Sequence, residues 1–242
     1  MNYNAAGPYP SCFDNLSENN KKDEHNRILK RNFDHLCETI PLLKPKAVIP
    51  FAGAYVIGGK NYKKNDYLGT TTWDICADYL EKNLNFETKI FCLNENQIFD
   101  VSSLKREGNY QRVNIEEMKN YIEKIKTEKY DYELDEFPCL EKLEEDVKLA
   151  RVKLKERTNK YKINLKSNVY LEFNGKKIKI LDGIEKNQNL LCSLDNRLLR
   201  RILDKKSHWN NAEIGSHYFT NRVPLKNYKK EVQSYLNFLS AC

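Results

Sequence analysis

The sequence predicts an α/β protein built in two parts, and three patterns point there. Helix-period and short extended segments alternate up to about residue 108, an amphipathic helix opens after Phe137-Pro138, and Asn174-Gly175 sits between two alternating apolar runs. The chain has 242 residues, with 15 Tyr, 10 Phe and 2 Trp to bury, which suits one large domain or two small ones rather than a disordered chain. The expected division is residues 1–108, a helical connector over 109–138, and a small α+β module over 139–242.

The elements follow in order. Asn2 to Leu16 has neither a period of 2 nor one of 3.6 and is rich in Gly, Pro and Asn, so it reads as a loop entering a helix. Ser17 suits the N-cap of that helix, Ile28, Leu29, Phe33, Leu36 and Ile40 give it one apolar face, and Pro41 and Pro45 are expected to end it. Ala47 to Phe51 reads as a buried strand leading into a glycine-bearing loop, Gly53 to Lys60. Thr70-Thr71-Thr72 can cap a second helix through Ile75, Cys76, Tyr79 and Leu80, and extended segments are expected over Thr88 to Leu93 and Gln97 to Val101. Asn114 can cap a third helix. Leu140, Leu143, Val147, Ala150 and Leu154 then recur at spacings of 3 and 4.

Val169, Leu171 and Phe173 alternate before Asn174-Gly175, and Ile178 and Ile180 alternate after it, the signature of a hairpin with a type I′ turn. A short helix over Asn196 to Leu203, an extended stretch from His208 to Phe219 and a last helix near Tyr228 to Leu239 complete the chain.

Charge is unevenly placed. The formal net charge is +7, yet residues 140–242 hold 22 Lys+Arg against 12 Asp+Glu, while residues 1–139 hold 19 against 22. The basic residues Lys176, Lys177, Lys179, Arg197, Arg200, Arg201, Lys205 and Lys206 alternate with apolar ones as a solvated face does. They are interleaved with few aromatics, which disfavours nucleic acid as the partner. No apolar run approaches the ~18 residues of a membrane span. The seven cysteines stand singly, so reduced thiols in a cytoplasmic protein are expected rather than a disulfide framework.

Two stretches could carry chemistry. A glycine turn after a strand lets backbone amides approach a phosphate, and Lys60 could add charge, but Gly58-Gly59-Lys60-Asn61 lacks the Gly-Lys-Ser/Thr order of a P-loop. The plainer reading is a tight turn needing positive φ. The other stretch, His208-Trp209-Asn210-Asn211-Ala212-Glu213-Ile214-Gly215-Ser216-His217, holds two imidazoles and a carboxylate, ligand types used by zinc and iron. On a strand Glu213 and His217 would share one face and His208 the other, which disfavours a joint metal site.

Three segments together resemble a known family: Asn4-Ala5-Ala6-Gly7-Pro8-Tyr9-Pro10-Ser11-Cys12-Phe13, the run from Leu43 to Val56 around Ile49-Pro50-Phe51-Ala52-Gly53-Ala54-Tyr55, and His208 to His217. They are similar to the C-terminal part of bacterial metallo-β-lactamase-fold proteins of surface-polysaccharide biosynthesis. Those proteins are relatives of the metallo-β-lactamase-like half of CMP-N-acetylneuraminate hydroxylase. The resemblance covers most of residues 4–80 and, more loosely, 195–240. It implies the second half of an αββα sandwich, with zinc or iron at the sandwich edge of a full-length relative.

The HxHxDH ligand loop of that family is absent here. Ala52 stands where the last histidine ligand is often found, and the paired CxH and CxxH ligands of a Rieske cluster are absent too. The resemblance therefore implies a C-terminal fragment without a metal site or cofactor of its own, inactive alone and paired with a missing N-terminal half or with itself. Its substrate class would be an anionic sugar nucleotide or surface-glycan precursor. Substrate-facing groups would be Tyr55, Gly58, Gly59, Lys60, Trp73 and Asp74, with His208, Asn210, Asn211, Glu213 and His217 as a second motif. The alternative is a non-catalytic binding protein whose basic C-terminal module grips an anionic partner.

Overall fold

The computed structural model describes residues 1–4, 7–51, 53–84, 87–226 and 234–241, and they form a mixed α/β fold with two hydrophobic cores. Helix α1 (Glu18–Leu43) starts where expected, with the Ser17 side chain accepting the Asn20 amide, one of the donors a helix start leaves free. Contrary to expectation, Pro41 lies inside it. Proline removes a single amide donor, tolerable in a last turn, and the helix closes at Lys44, whose left-handed backbone sends its N–H to the Ile40 carbonyl.

Strand β1 (Ala47–Val48) pairs in parallel with β2 (Lys89–Ile90), and helix α2 (Trp73–Asn83) lies between them in sequence. Tyr3, Phe33, Leu36, Ile40, Val48, Cys76 and Leu80 form the first core. A two-residue antiparallel ladder follows, β3 (Phe99–Asp100) with β4 (Lys105–Arg106). The strands expected over 47–51, 88–93 and 97–101 are thus each two residues long. Alternation marks extended backbone, but a ladder also needs a neighbour, and the 47–51 segment gains from the described N-terminal residues just one parallel bridge, Asn2 to Phe51. Ala52 lies outside the described residues.

Helix α3 (Ile115–Ile125) is capped by Asn114, whose Oδ1 accepts the amides of Glu116 and Glu117 at 3.0 and 3.2 Å. Helix α4 (Leu140–Lys160) buries Leu143, Val147, Ala150 and Leu154 as its spacing predicts. It packs on a four-stranded sheet of order β6-β5-β7-β8. Strands β5 (Asn168–Phe173) and β6 (Lys176–Leu181) are the expected hairpin, and both Asn174 and Gly175 take the positive φ of a type I′ turn, 48° and 69°.

Strand β7 (Asn189–Leu194), parallel to β5, is not anticipated by the sequence reading. Leu190, Cys192 and Leu194 do alternate inward, but Leu191 and Ser193 leave the opposite face half apolar and blur the period. Helix α5 (Asn196–Leu203) spans the expected residues, and Asp195 caps it by accepting the Arg197 amide.

The stretch from His208 is not extended as predicted. It forms helix α6 (Trp209–Ile214), a turn, and then strand β8 (Tyr218–Val223) antiparallel to β7. Trp209 and Ala212 are both buried at helical spacing, and Trp209 Nε1 donates to Glu213 Oε1 one turn on at 3.0 Å. Residues 234–238 form a 3₁₀ turn where the last helix was expected, and the part of that helix over 227–233 lies outside the described residues. No helix among the described residues is long and apolar enough to cross a membrane.

The N-terminal loop seals the sheet. Thr220 of β8 donates its amide to the Cys12 carbonyl at 2.8 Å, and its carbonyl accepts the Asp14 amide at 3.1 Å, so residues 12–14 run along the outer edge of β8. The first and last thirds of the chain are therefore hydrogen-bonded to each other.

Candidate functional site

The predicted site residues separate into three places. Trp73 and Asp74 form a structural tie. The Asp74 carboxylate, 4% exposed, accepts the Tyr110 hydroxyl at 2.6 Å and the Val113 amide at 2.8 Å, while Trp73 Nε1 donates to the same hydroxyl. These bonds fasten the 110–113 loop to the first turn of α2. Tyr55 lines a different feature, a cavity of about 140 Å³ walled by Ile75, Ile115, Met118 and Ile122. Burial pushes its phenol pKa up.

The glycine loop and the C-terminal motif, by contrast, meet. Tyr130 joins them: its hydroxyl donates to the Gly58 carbonyl at 2.6 Å and accepts the Asn61 amide at 3.3 Å, and its ring stands edge-on to His217 with centroids 4.4 Å apart. Gly59 adopts φ +57°, and a Cβ there would fall 2.8 Å from the Tyr130 ring. Positive φ and close packing thus explain this glycine, and the space a phosphate would need is filled by a tyrosine. Lys60 is turned away to Glu133 at 2.9 Å and Asp195 at 3.3 Å. Burial would raise the Asp195 pKa, but Arg197 and Lys60 outweigh it and hold the carboxyl at about 2.

Beneath this contact lies a buried lysine. Lys64, 8% exposed, donates to the carbonyls of Ser216 and Tyr218 at 2.7 and 3.1 Å, and its Nζ is 3.6 Å from Cys12 Sγ. Desolvation lowers its pKa, partly opposed by Cys12 and Asp14. Ser11 and Ser216 share a hydrogen bond at 3.3 Å in the same pocket of polarity. Lys64 thus ties the N-terminal loop, the 59–67 turn and the start of β8 to one another.

Within the motif the residues diverge. His208 and Asn210 are exposed, with the Asn210 amide bonded to Asn237 Oδ1. Burial raises the Glu213 pKa, and its carboxylate faces Trp209 and Tyr218 inside the module. Asn211 and His217 instead open onto a cleft of about 440 Å³ with Lys129, Tyr130, Asp131, Tyr132, Arg201, Lys206 and Ser207. The His217 ring lies perpendicular to both tyrosine rings, at 87° to each. Its pKa is lowered first by burial, then by Lys64 and Lys60. His217 Nδ1 and the Tyr132 hydroxyl, both buried, have no hydrogen-bond partner among the described residues.

A larger space of about 610 Å³ along α1 is lined by residues of that helix alone and is a groove on its charged face. The sequence reading missed Lys129, Tyr130, Asp131 and Tyr132. Tyr130 and Tyr132, two of the four tyrosines in the connector over 109–138, stand in a charged run and were the available signal, since a linker with nothing to pack has little use for them.

Several cations of the basic module are held in ion pairs, although 22 Lys+Arg against 12 Asp+Glu leave residues 140–242 net positive. Lys176 reaches Glu144 at 2.5 Å, Arg200 reaches Asp146 at 2.5 Å, and Arg201 grips Asp135 with two bonds of 2.5 and 2.8 Å. Among the described residues, no group of three or more His, Cys, Asp or Glu side chains could hold a metal ion. No family model, curated protein or solved structure matches this chain.

Proposed function

We propose that this chain is the substrate-holding part of a metallo-β-lactamase-fold hydrolase-like protein, acting on a sugar nucleotide or a surface-glycan precursor. Residues 1–108 would belong to the second half of the αββα sandwich, and metal donors would come from another polypeptide segment. The observation that supports it is the contact made by Tyr130. Tyr130 is braced by the Gly58–Asn61 loop and packs against His217, and these two aromatic side chains, 87 positions apart in sequence, line one cleft.

The cleft's volume, about 440 Å³, falls in the range of ligand sites, roughly 300–1,000 Å³. Two aromatic rings beside polar and cationic groups suit a sugar carrying negative charge better than an apolar ligand. On this reading the chain binds substrate and does not turn it over. Lys176, Arg200 and Arg201, which the binding-protein alternative would use, are already engaged by Glu144, Asp146 and Asp135, which is why that alternative is not adopted.

Calorimetric titration of the purified chain with a panel of UDP-, GDP- and CMP-sugars tests this. At least one is expected to bind without being hydrolysed, and Tyr130→Leu should weaken it roughly tenfold or more, about 1.4 kcal/mol. Failure of the whole panel to bind, or stoichiometric zinc or iron together with hydrolysis by this chain alone, would overturn the proposal.

A further inference from the structure

We infer that the cleft between the 129–132 segment and the α5–α6 turn is a binding site for a phosphorylated sugar, with the phosphate on Lys129 and Lys206. The inference rests on the proposal that the cleft holds substrate, and it assigns that substrate's chemistry to particular side chains.

The lining is divided. Lys129 makes no ion pair among the described residues, and the contact of Lys206 with Asp204 is a loose 3.8 Å, because Asp204 is already bound to Arg200. These two ammonium groups are the charge left over for a ligand, since Arg201, also on the cleft wall, is committed to Asp135. Two unengaged lysines lining one cleft can bind a phosphate through charge-assisted hydrogen bonds.

Asp131, Ser207 and Asn211 also face the cleft. None of their side chains has a hydrogen-bond or ion-pair partner among the described residues. A carboxylate, a hydroxyl and an amide together offer acceptors and donors matched to sugar hydroxyls. The half-buried Tyr130 ring, with the buried Tyr132 ring packed on it at 5.5 Å between centroids, adds apolar surface to the wall for the C–H side of a pyranose. The Asp131 carboxylate argues against a bare polyanion, which it would repel, and so favours a ligand with hydroxyls at one end and charge at the other.

His217 completes the wall, and its position depends on Gly215. A Cβ at residue 215 would fall 2.5 Å from the His217 ring, so Gly215→Ala must displace the imidazole.

The test is titration of the full chain with glucose 1-phosphate, N-acetylglucosamine 1-phosphate, inorganic phosphate and glucose. At least one sugar phosphate should bind roughly tenfold or more tighter than phosphate or glucose alone. Lys129→Ala/Lys206→Ala should lose most of that advantage while melting as the wild type does, because both lysines are exposed. Gly215→Ala should weaken the sugar phosphate too.

Inorganic phosphate binding as tightly as the sugar phosphates would overturn the inference in favour of a plain anion site. Sugar phosphates that bind no tighter than glucose would overturn it as well. Sugar nucleotides that bind the double variant undiminished would remove this cleft assignment and leave the proposed function standing. Sugar phosphates that bind here while no sugar nucleotide does would do the reverse.

Discussion

Replacing Lys64 by methionine probes the junction between the N-terminal loop, the glycine-loop turn and β8. Methionine keeps most of the stem and removes the ammonium. Two buried carbonyls, Ser216 and Tyr218, then lose a charged donor at 2.7 and 3.1 Å. Hydrogen bonds to charged groups are worth about 1.5–3 kcal/mol each, so the gross loss is roughly 3–6 kcal/mol. Freeing the protein from a desolvated ammonium returns part of that, leaving a net destabilisation of about 2–4 kcal/mol. For a chain of this size the melting temperature should fall by about 5–15 °C.

Urea denaturation followed by circular dichroism measures the loss, with the exposed neighbour Lys63→Met as a control expected within about 0.5 kcal/mol of wild type. The pH dependence has a definite sign. Because burial lowers the Lys64 pKa below its ordinary 10.5, the unfolded chain binds the extra proton, and wild-type stability gains on Lys64→Met as pH rises toward 10.5. A Lys64→Met protein as stable as wild type would refute the claim that this amine holds the junction.

Two further outcomes follow from the same neighbourhood. Gly59→Ala should cost about 2–5 kcal/mol, combining left-handed strain with overpacking against Tyr130, whereas Gly175→Ala, equally left-handed but with open space around it, should cost only about 1 kcal/mol; thermal melts of the two compare them. Asp195 is held at about 2 against an ordinary 3.8, so its stabilisation is complete above 3.8 and is lost as pH falls through about 2. That amounts to about 2 kcal/mol, and urea titrations between about pH 5 and pH 2 should show it missing from Asp195→Asn.

Much of the local structure was legible because local signals were strong. Ser17 and Asn114 cap as read, α4 buries the residues its spacing marks, and the Asn174-Gly175 turn takes the positive φ values its chemistry allows. What escaped depended on partners distant in sequence. Strand β7 exists because β5 and β8 flank it, and the 208–219 stretch divides into helix and strand because Trp209 finds a buried seat while Tyr218 pairs with Leu194.

The site was half legible for a related reason. His217, Asn211 and the glycine loop drew attention as residue types. Their junction through Tyr130, the diversion of Lys60 to Glu133 and Asp195, and the separate duties of Trp73 and Asp74 are properties of contacts that spacing does not encode.

The central claim is that the Tyr130–His217 cleft takes a sugar-bearing anion. With only four histidines in the chain, imidazole-selective NMR of ring-labelled protein resolves His217 from His25, His35 and His208. Adding glucose 1-phosphate or N-acetylglucosamine 1-phosphate should move the His217 ring resonances in a saturable way and leave those of His25 and His35, on α1, in place. Resonances of His217 that stay fixed while the ligand binds, or that move only together with all the others, would contradict the account.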